Sequence, residues 1–338
     1  MTQKKTNFNL ILLFGLTSIA LWINSCTSNK NDTSNEETNT AQKLVLQPTQ
    51  HFNADSSYAF IEKQISFGYR IPGTTEHKKC SEWLVKKLGS YVDSAHIQVG
   101  SATTFDGKKI PVYNIIGSIH PQAKKRMLLT AHWDSRPFAD QDTDDQTKPI
   151  QGANDGASGV AVLLELARNS KIQKIPNDVG IDFIFFDAED WGNSDHENSF
   201  CLGSQYWGKN LHTPGYNARF GILLDMVGGK NAEFLWESNS NEWGNTILQH
   251  VWTVGQELGY GNYFKTVNTH PVIDDHVYVY QATKIPMIDI IHYTSEGGFT
   301  PEWHTHQDNL SNIDKNTLKA VGHTLENVIA QPPASFHY

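Results

Sequence analysis

Between residues 75 and 293, short segments rich in Val, Ile, Leu and Phe alternate with amphipathic stretches, and that rhythm constrains the fold more than any single motif. The apolar segments are PVYNIIGSI (111–119), RMLLTAHW (126–133), VGIDFIFFDAE (179–189), ARFGILLDMV (218–227) and IPMIDIIHY (285–293). TEHKKCSEWLVKKL (75–88), SGVAVLLELARNS (158–170) and GNTILQHVWTVGQEL (244–258) carry their apolar residues at helical spacing. Near-continuous apolar strands bury both faces, the habit of a parallel sheet covered by helices on either side. The expected fold class is α/β, a three-layer αβα architecture around a central mixed, mostly parallel, twisted sheet.

The alternation begins near residue 50 and continues without an internal repeat or a low-complexity linker, so residues 50–338 are read as one domain. A chain of 338 residues with 38% hydrophobic content can bury a large core. Upstream, Lys4 and Lys5 precede FNLILLFGLTSIALWI (8–23), which is too short for a comfortable membrane span and reads as the core of a secretory signal. INSC follows, and the small residue Ser25 before Cys26 resembles a bacterial lipobox, in which cleavage precedes a cysteine that is then lipidated. Residues 1–25 are therefore read as a lipoprotein-type signal peptide and 26–49 as a polar, disordered tether. The folded part is expected to be exported, facing the periplasm from a bacterial envelope membrane to which Cys26 anchors it. A plain signal peptide with an unmodified cysteine is the alternative.

If Cys26 is lipidated, Cys80 and Cys201 remain. An oxidising compartment would permit them to pair, and two small buried thiols are the other reading. The net charge of −9, with no stripe of Lys and Arg, argues against nucleic acid as a partner. A monomer is expected. ADQDTDDQTKP, from residue 139, reads as a solvated acidic loop, with a calcium site as the minor alternative.

In such a sheet function gathers beyond the carboxyl ends of the strands, and that is where the polar residues collect. RMLLTA runs into His132, Trp133, Asp134 and Ser135; IDFIFF runs into Asp187, Glu189 and Asp190; GILL runs into Asp225. GANDGASG sets Asp155 among glycines where the next helix opens. IDDH adds Asp274, Asp275 and His276, and PEWHTHQDN adds Trp303, His304 and His306. Acids crowded at the end of a buried strand repel one another and are costly to desolvate. A cation removes that cost, and mixed Asp, Glu and His ligation is what Zn²⁺ accepts. The residues alone thus point to a metal site, with a purely structural polar network as the alternative.

Taken in order, HWDSRPFAD, GANDGASG, FFDAEDWG, LLDMVGG, IDDH and WHTHQDN resemble the motifs of the zinc-dependent aminopeptidase family, and more narrowly its glutaminyl-peptide cyclotransferase branch. The resemblance spans residue 55 to about 330. It implies that Asp155, Asp190 and His304 bind one Zn²⁺ and that Glu189 is the general acid and base. His132 and Asp225 match positions that hold a second metal in two-zinc aminopeptidases and that the cyclases normally leave empty, so the resemblance makes His132 a supporting or vacant-site residue rather than a zinc ligand and leaves a second ion open. By the same resemblance Asp225 and Asp274 share protons with Glu189, and Phe299 and Trp303 wall the substrate pocket. The third aromatic wall is Trp191 or Trp207. His276 and His306 are read as structural, and Asp187 as an anchor for the loop.

Three features incline the resemblance to the cyclase branch: Asp274 where aminopeptidases usually carry serine, Trp303 directly before His304, and aspartate as the second acid of EDWG. The implied reaction closes an N-terminal glutamine of a peptide or exported protein to pyroglutamate and releases ammonia. A two-zinc exopeptidase is the alternative. A lapsed enzyme serving as a binding module is a third reading, against which the full set of acids and ligands argues.

Overall fold

A computed structural model of the chain describes residues 46–173, 175–294 and 297–337. The signal peptide, Cys26 and most of the tether lie outside the described residues. The end of the tether is docked, contrary to the expectation of a disordered segment to residue 49. The Thr49 amide donates to Asn327 Oδ1 at 2.8 Å and the Gln47 amide to Gln331 Oε1 at 3.3 Å, both on or just past helix α8 (Lys315–Ala330). Backbone donors without a strand partner are taken up there by amide side chains.

Six strands form the central sheet: β1 (Ser94–Thr103), β2 (Lys109–Ile119), β3 (Lys125–His132), β4 (Val179–Phe186), β5 (Phe220–Asp225) and β8 (Met287–Ile291), in the order β1-β2-β4-β3-β5-β8. The β1–β2 hairpin joins β4 antiparallel, whereas β4, β3, β5 and β8 run parallel. The sheet is thus mixed and mostly parallel, as the apolar runs require. His132 pairs with Phe186 and Asp225 with Ile291, so the parallel strands end level and deliver their following loops to one edge. A second, two-stranded sheet joins β6 (Phe234–Trp236) to β7 (Phe264–Asn268).

Strand periodicity places the helices. A Cβ on Gly117 of β2 would meet Leu88 of α2 (Thr75–Gly89) at 2.6 Å, while Asn114, an odd number of residues away, donates to Gly203 O of α4 (Leu202–Lys209) at 2.9 Å. The two helices therefore cover opposite faces. On the α2 face lie α1 (Ala54–Ile65), α3 (Ala157–Gln173) and α8, with α3 so close to β3 and β5 that a side chain at Gly159 would strike Leu224 O. On the α4 face, α4 packs against α7 (Asp275–Thr283). Ile116, Leu128, Ile184, Phe186 and Met287 of the sheet meet Trp207 and Val279 of those two helices in one buried cluster.

Away from the polar loops, Asp182 in the middle of β4 is buried and fully paired. Arg126 forks onto it with two bonds of 2.6 Å, and Ser118 Oγ and Tyr216 OH donate at 2.6 and 2.7 Å. Removing one member of such a pair strands the other charge. Arg126→Met is expected to cost about 3–5 kcal/mol. Urea unfolding checks this, and an unchanged midpoint would show that Ser118 and Tyr216 suffice.

Candidate active site and metal centre

Apart from His304, which stands in the loop after β8, the residues of the site stand where a strand stops or a helix starts. His132 ends β3, Asp225 ends β5, Asp187 to Asp190 follow β4, Asp155 precedes α3, and Asp274 is the N-cap of α7, accepting from the Asp275 amide. The backbone is unusual at the same places: Ala188, Met226 and His304 have φ of 52°, 49° and 57°, and Gly156 has φ of 93°. Left-handed backbone at non-glycine residues costs energy and persists where the surroundings enforce it, as they do at functional sites.

Asp187 anchors the turn. Its carboxylate lies 2.8 Å from His77 Nε2 and accepts from the Tyr113 and Ala188 amides at 2.6 and 2.8 Å. Asp134, quoted in the sequence but given no role there, accepts from the amides of Glu189 and Asp190 at 3.0 and 3.2 Å and so fixes both residues from below.

Two overlapping groups of ligand atoms result. Asp155, Asp190 and His304 converge within 4.8 Å, as do His132, Asp155 and Asp225, and all five side chains are buried. His304 Nε2 is 3.2 Å from Asp190 Oδ1 and 3.9 Å from Asp155 Oδ2; His132 Nε2 is 3.0 Å from Asp155 Oδ1 and 3.2 Å from Asp225 Oδ1. Asp190 Oδ2 is buried with no partner among the described residues. Two carboxylates, an imidazole nitrogen and an orphaned carboxylate oxygen fit a divalent cation, and the donor set suits zinc. Asp155 belongs to both groups.

Glu189 lies beside this cradle. Cys201 Sγ is 3.3 Å from its Oε1, and His132 Nδ1 is 3.9 Å from its Oε2. Burial raises its pKa well above the usual carboxylate range and nearby Asp190, Asp274 and Asp275 add to the rise, while His132 opposes it. Burial and Asp225 push Asp274 up to about 7, and burial with Asp190 pushes Asp155 up to about 6. Asp190 behaves oppositely. Burial would raise it, yet His304 and Arg136 hold it below the ordinary carboxylate value. Burial also works against a charge on His132, but Asp134, Asp155 and Asp225 around it raise its pKa well above normal.

Over these groups opens a cleft of about 360 Å³, walled by Phe200, Val272, Tyr278, Tyr293, Phe299 and Trp303, among others. Phe299 stacks on Trp303 at 4.2 Å between centroids, and Trp303 stacks on His304 at 3.6 Å, so a wall of the cleft is continuous with a ligand ring. The two tryptophans proposed from sequence for the third wall are elsewhere. Trp207 is fully buried on the α4 face with Nε1 donating to His212, and Trp191 packs among Ile110, Val112, Ala188 and Leu202. The cause is local: Gly192 leaves space that the Phe200 ring fills, so Phe200 reaches the cleft while Trp191 turns into the core.

Other side chains escaped the sequence reading. Asp140, assigned to a solvated loop, lies 3.1 Å from His304 Nδ1. Asp308 accepts from the Asn154 and Asp155 amides at 2.7 and 3.1 Å. Asp289 is fully buried near Asp274 and His276; an acid interrupting the apolar strand MIDII was the available signal. His276 is buried between Glu237 and Asp289, and His306 binds Asp142 at 2.8 Å, away from the cleft. Cys80 and Cys201 are both buried, and neither forms a disulfide among the described residues.

Known proteins resemble this chain in sequence and fold. Glutaminyl-peptide cyclotransferase of Gloydius blomhoffii is 30% identical over 241 residues, a stretch that spans 63% of this chain and 63% of that protein. The crystal structure of Porphyromonas gingivalis glutaminyl cyclase, 48% identical, covers 82% of this chain and 98% of its own with a TM-score of 0.80. That of a Zn-dependent exopeptidase from Parabacteroides distasonis, 46% identical, covers 83% and 99% with a TM-score of 0.81. The model of peptidase family M28 matches residues 114–329, a stretch that holds His132, Asp155, Glu189, Asp190, Asp225, Asp274 and His304 together, and the chain accordingly belongs to that family.

Proposed function

We propose that the protein is a zinc-dependent glutaminyl-peptide cyclotransferase. The observation that carries the reading is the pairing of Glu189 with a second buried, proton-holding acid, Asp274, at the floor of an aromatic cleft that ends on the Asp155–Asp190–His304 cradle. Similarity to solved glutaminyl cyclases over nearly their whole length supports it.

A peptide with N-terminal glutamine carries both its nucleophile, the α-amine, and its electrophile, the γ-carboxamide carbon. The amine nitrogen bonds to that carbon, the carbon's bond to the amide nitrogen breaks, and the products are a five-membered lactam and ammonia. Water takes no part. Phe299, Trp303 and Phe200 enclose the folded side chain, holding the reacting atoms together and saving the entropy of a two-body encounter. Glu189 accepts the amine proton at its carboxylate and returns it to the departing nitrogen, a double role that needs the raised pKa its burial provides. Asp274 resists joint ionisation with Glu189, and burial together with the neighbouring Asp225 carboxylate keeps its proton in place. Asp155, Asp190 and His304 would hold one Zn²⁺, which when bound polarises the γ-carbonyl and favours negative charge on its oxygen. Asp140 and Asp308 steady those ligands from behind.

The same reading takes the chain to be an exported lipoprotein anchored through Cys26, facing the periplasm as a monomer, with exported proteins and peptides bearing N-terminal glutamine as substrates. The signal-like segment and INSC of the sequence support that placement.

Mass spectrometry of a Gln-initiated peptide incubated with the purified chain tests the activity. The expected product is lighter by one ammonia and equal in length, with one zinc per chain and no turnover after chelation. A second reading, a two-zinc exopeptidase, is favoured by the sharing of Asp155 between two ligand groups. It would give a freed amino acid, a shortened peptide and two zinc ions per chain. An unchanged peptide at full metal occupancy sinks both.

A further inference from the structure

Arg136 sits in the loop after β3, its side chain 1% exposed, and every polar arm of it is used. Nε and Nη2 fork onto the two carboxylate oxygens of Asp140 at 2.6 and 2.9 Å. Nη1 donates to both the backbone oxygen and Oδ1 of Asp190, at 2.9 and 3.1 Å. Nη2 also reaches Gly192 O at 3.2 Å. The Phe138 and Phe200 rings flank the guanidinium at 4.4 and 5.5 Å. An ordinary buried ion pair would satisfy one partner; this cation spans two segments that are distant in sequence.

Those two segments each lead to a metal-ligand candidate. Asp140, held by the fork, puts Oδ1 3.1 Å from His304 Nδ1, an ion-pair contact behind the ring whose Nε2 faces Asp190 and Asp155. At Asp190 the guanidinium occupies Oδ1 and the main-chain oxygen, which leaves Oδ2 bare and buried. We infer that Arg136 is a positioning residue that sets two of the three ligands at once, directly at Asp190 and through Asp140 at His304, so that metal affinity depends on its forked geometry and not on its charge alone. Lysine keeps the charge but cannot fork onto a carboxylate while reaching a second backbone turn.

The inference rests on the metal cradle of the proposed function and not on cyclisation. It is therefore tested by metal affinity, which can succeed or fail whether or not a Gln-peptide is turned over. The purified chain and its variants compete for Zn²⁺ with a fluorescent chelator, and thermal unfolding in excess chelator reports folding. Arg136→Lys and Asp140→Asn are each expected to weaken zinc binding by roughly 10–100-fold. Arg126→Lys, which alters another buried, carboxylate-forking guanidinium at the far end of the sheet, is expected to leave it unchanged. If Arg136→Lys does not fold, Asp140→Asn decides, since the Asp140 side chain is 36% exposed and sits in a loop. Unaltered zinc affinity in a folded Asp140→Asn chain overturns the inference, as does an unaltered folded Arg136→Lys chain. A wild-type chain that takes up no zinc overturns it together with the cradle.

Discussion

Glu189→Gln is expected to lower kcat for ammonia release from a Gln-peptide by roughly 10²–10⁴-fold, the usual worth of a positioned proton-transfer group. Glutamine preserves the shape of the side chain and can still accept from Cys201, so the loop stays in place. It cannot take a proton from an amine. Zinc content is expected to be unaltered, because Asp155, Asp190 and His304 do not depend on the Glu189 carboxylate for their placement, which comes from Asp134, Asp140, Asp308 and Arg136. KM should change little, since in the proposed reaction the contacts with the substrate come from Phe299 and Trp303, which line the cleft. A variant with wild-type kcat would remove Glu189 from the reaction, and one that has lost its zinc would make it part of the cradle instead.

Stripping the metal is expected to abolish turnover and also to make stability fall as pH rises. Asp155 is pushed up to about 6, and Asp274 and Asp308 up to about 7, chiefly by burial, from an ordinary value of 3.8. Each binds its proton more tightly in the folded chain than in the unfolded one. Their contribution to stability is therefore complete below about pH 4 and is lost as pH rises through about 6 to 7. His132, also raised, acts in the same direction, and the depressed Asp190 and Asp140 act in the acid range below this window. The stripped chain should thus melt at progressively lower temperature from about pH 4 to about pH 8. Zinc replaces the lost protons with fixed positive charge and, at a thousand times its Kd, adds about 4 kcal/mol. The gap in Tm between loaded and stripped protein should widen with pH. Differential scanning calorimetry on both forms checks this, and a stripped chain whose Tm stays flat or rises over that range would refute it.

What the sequence disclosed and what it withheld have different physical origins. The strand ends were legible because an apolar run that stops on an acid can be seen without a structure. The residues there, His132, Asp190 and Asp225, stand level because parallel strands in register finish together. Asp140 was hidden because an acid in a run of acids and polar residues looks solvated until its guanidinium partner is known. Asp289 was hidden for the contrary reason, as one acid inside an apolar strand does not disturb the pattern that defines the strand. Tryptophans 191 and 207 misled because proximity in sequence to Glu189 says nothing of direction; the left-handed turn at Ala188 and the space at Gly192 send Trp191 inward and bring in Phe200 from eleven residues beyond Glu189. The question of pairing Cys80 with Cys201 could be settled only by layer. One lies in α2 and the other precedes α4, and those helices cover opposite faces of the sheet.

His132 gives the shared carboxylate Asp155 a further significance. Asp155 and Asp225 both lean on one imidazole, and the crowding of acids around that ring favours its protonated form. A bound proton and a second cation are therefore rivals for one place between the same two carboxylates. With the proton in possession, the ring would be an internal counterion and leave the Asp155, Asp190 and His304 cradle alone to take a metal; with the proton expelled, the same atoms could act as ligands. The same side chains could thus serve a mononuclear or a dinuclear centre, and the proton on His132, favoured by the acids around it, would weigh on that choice.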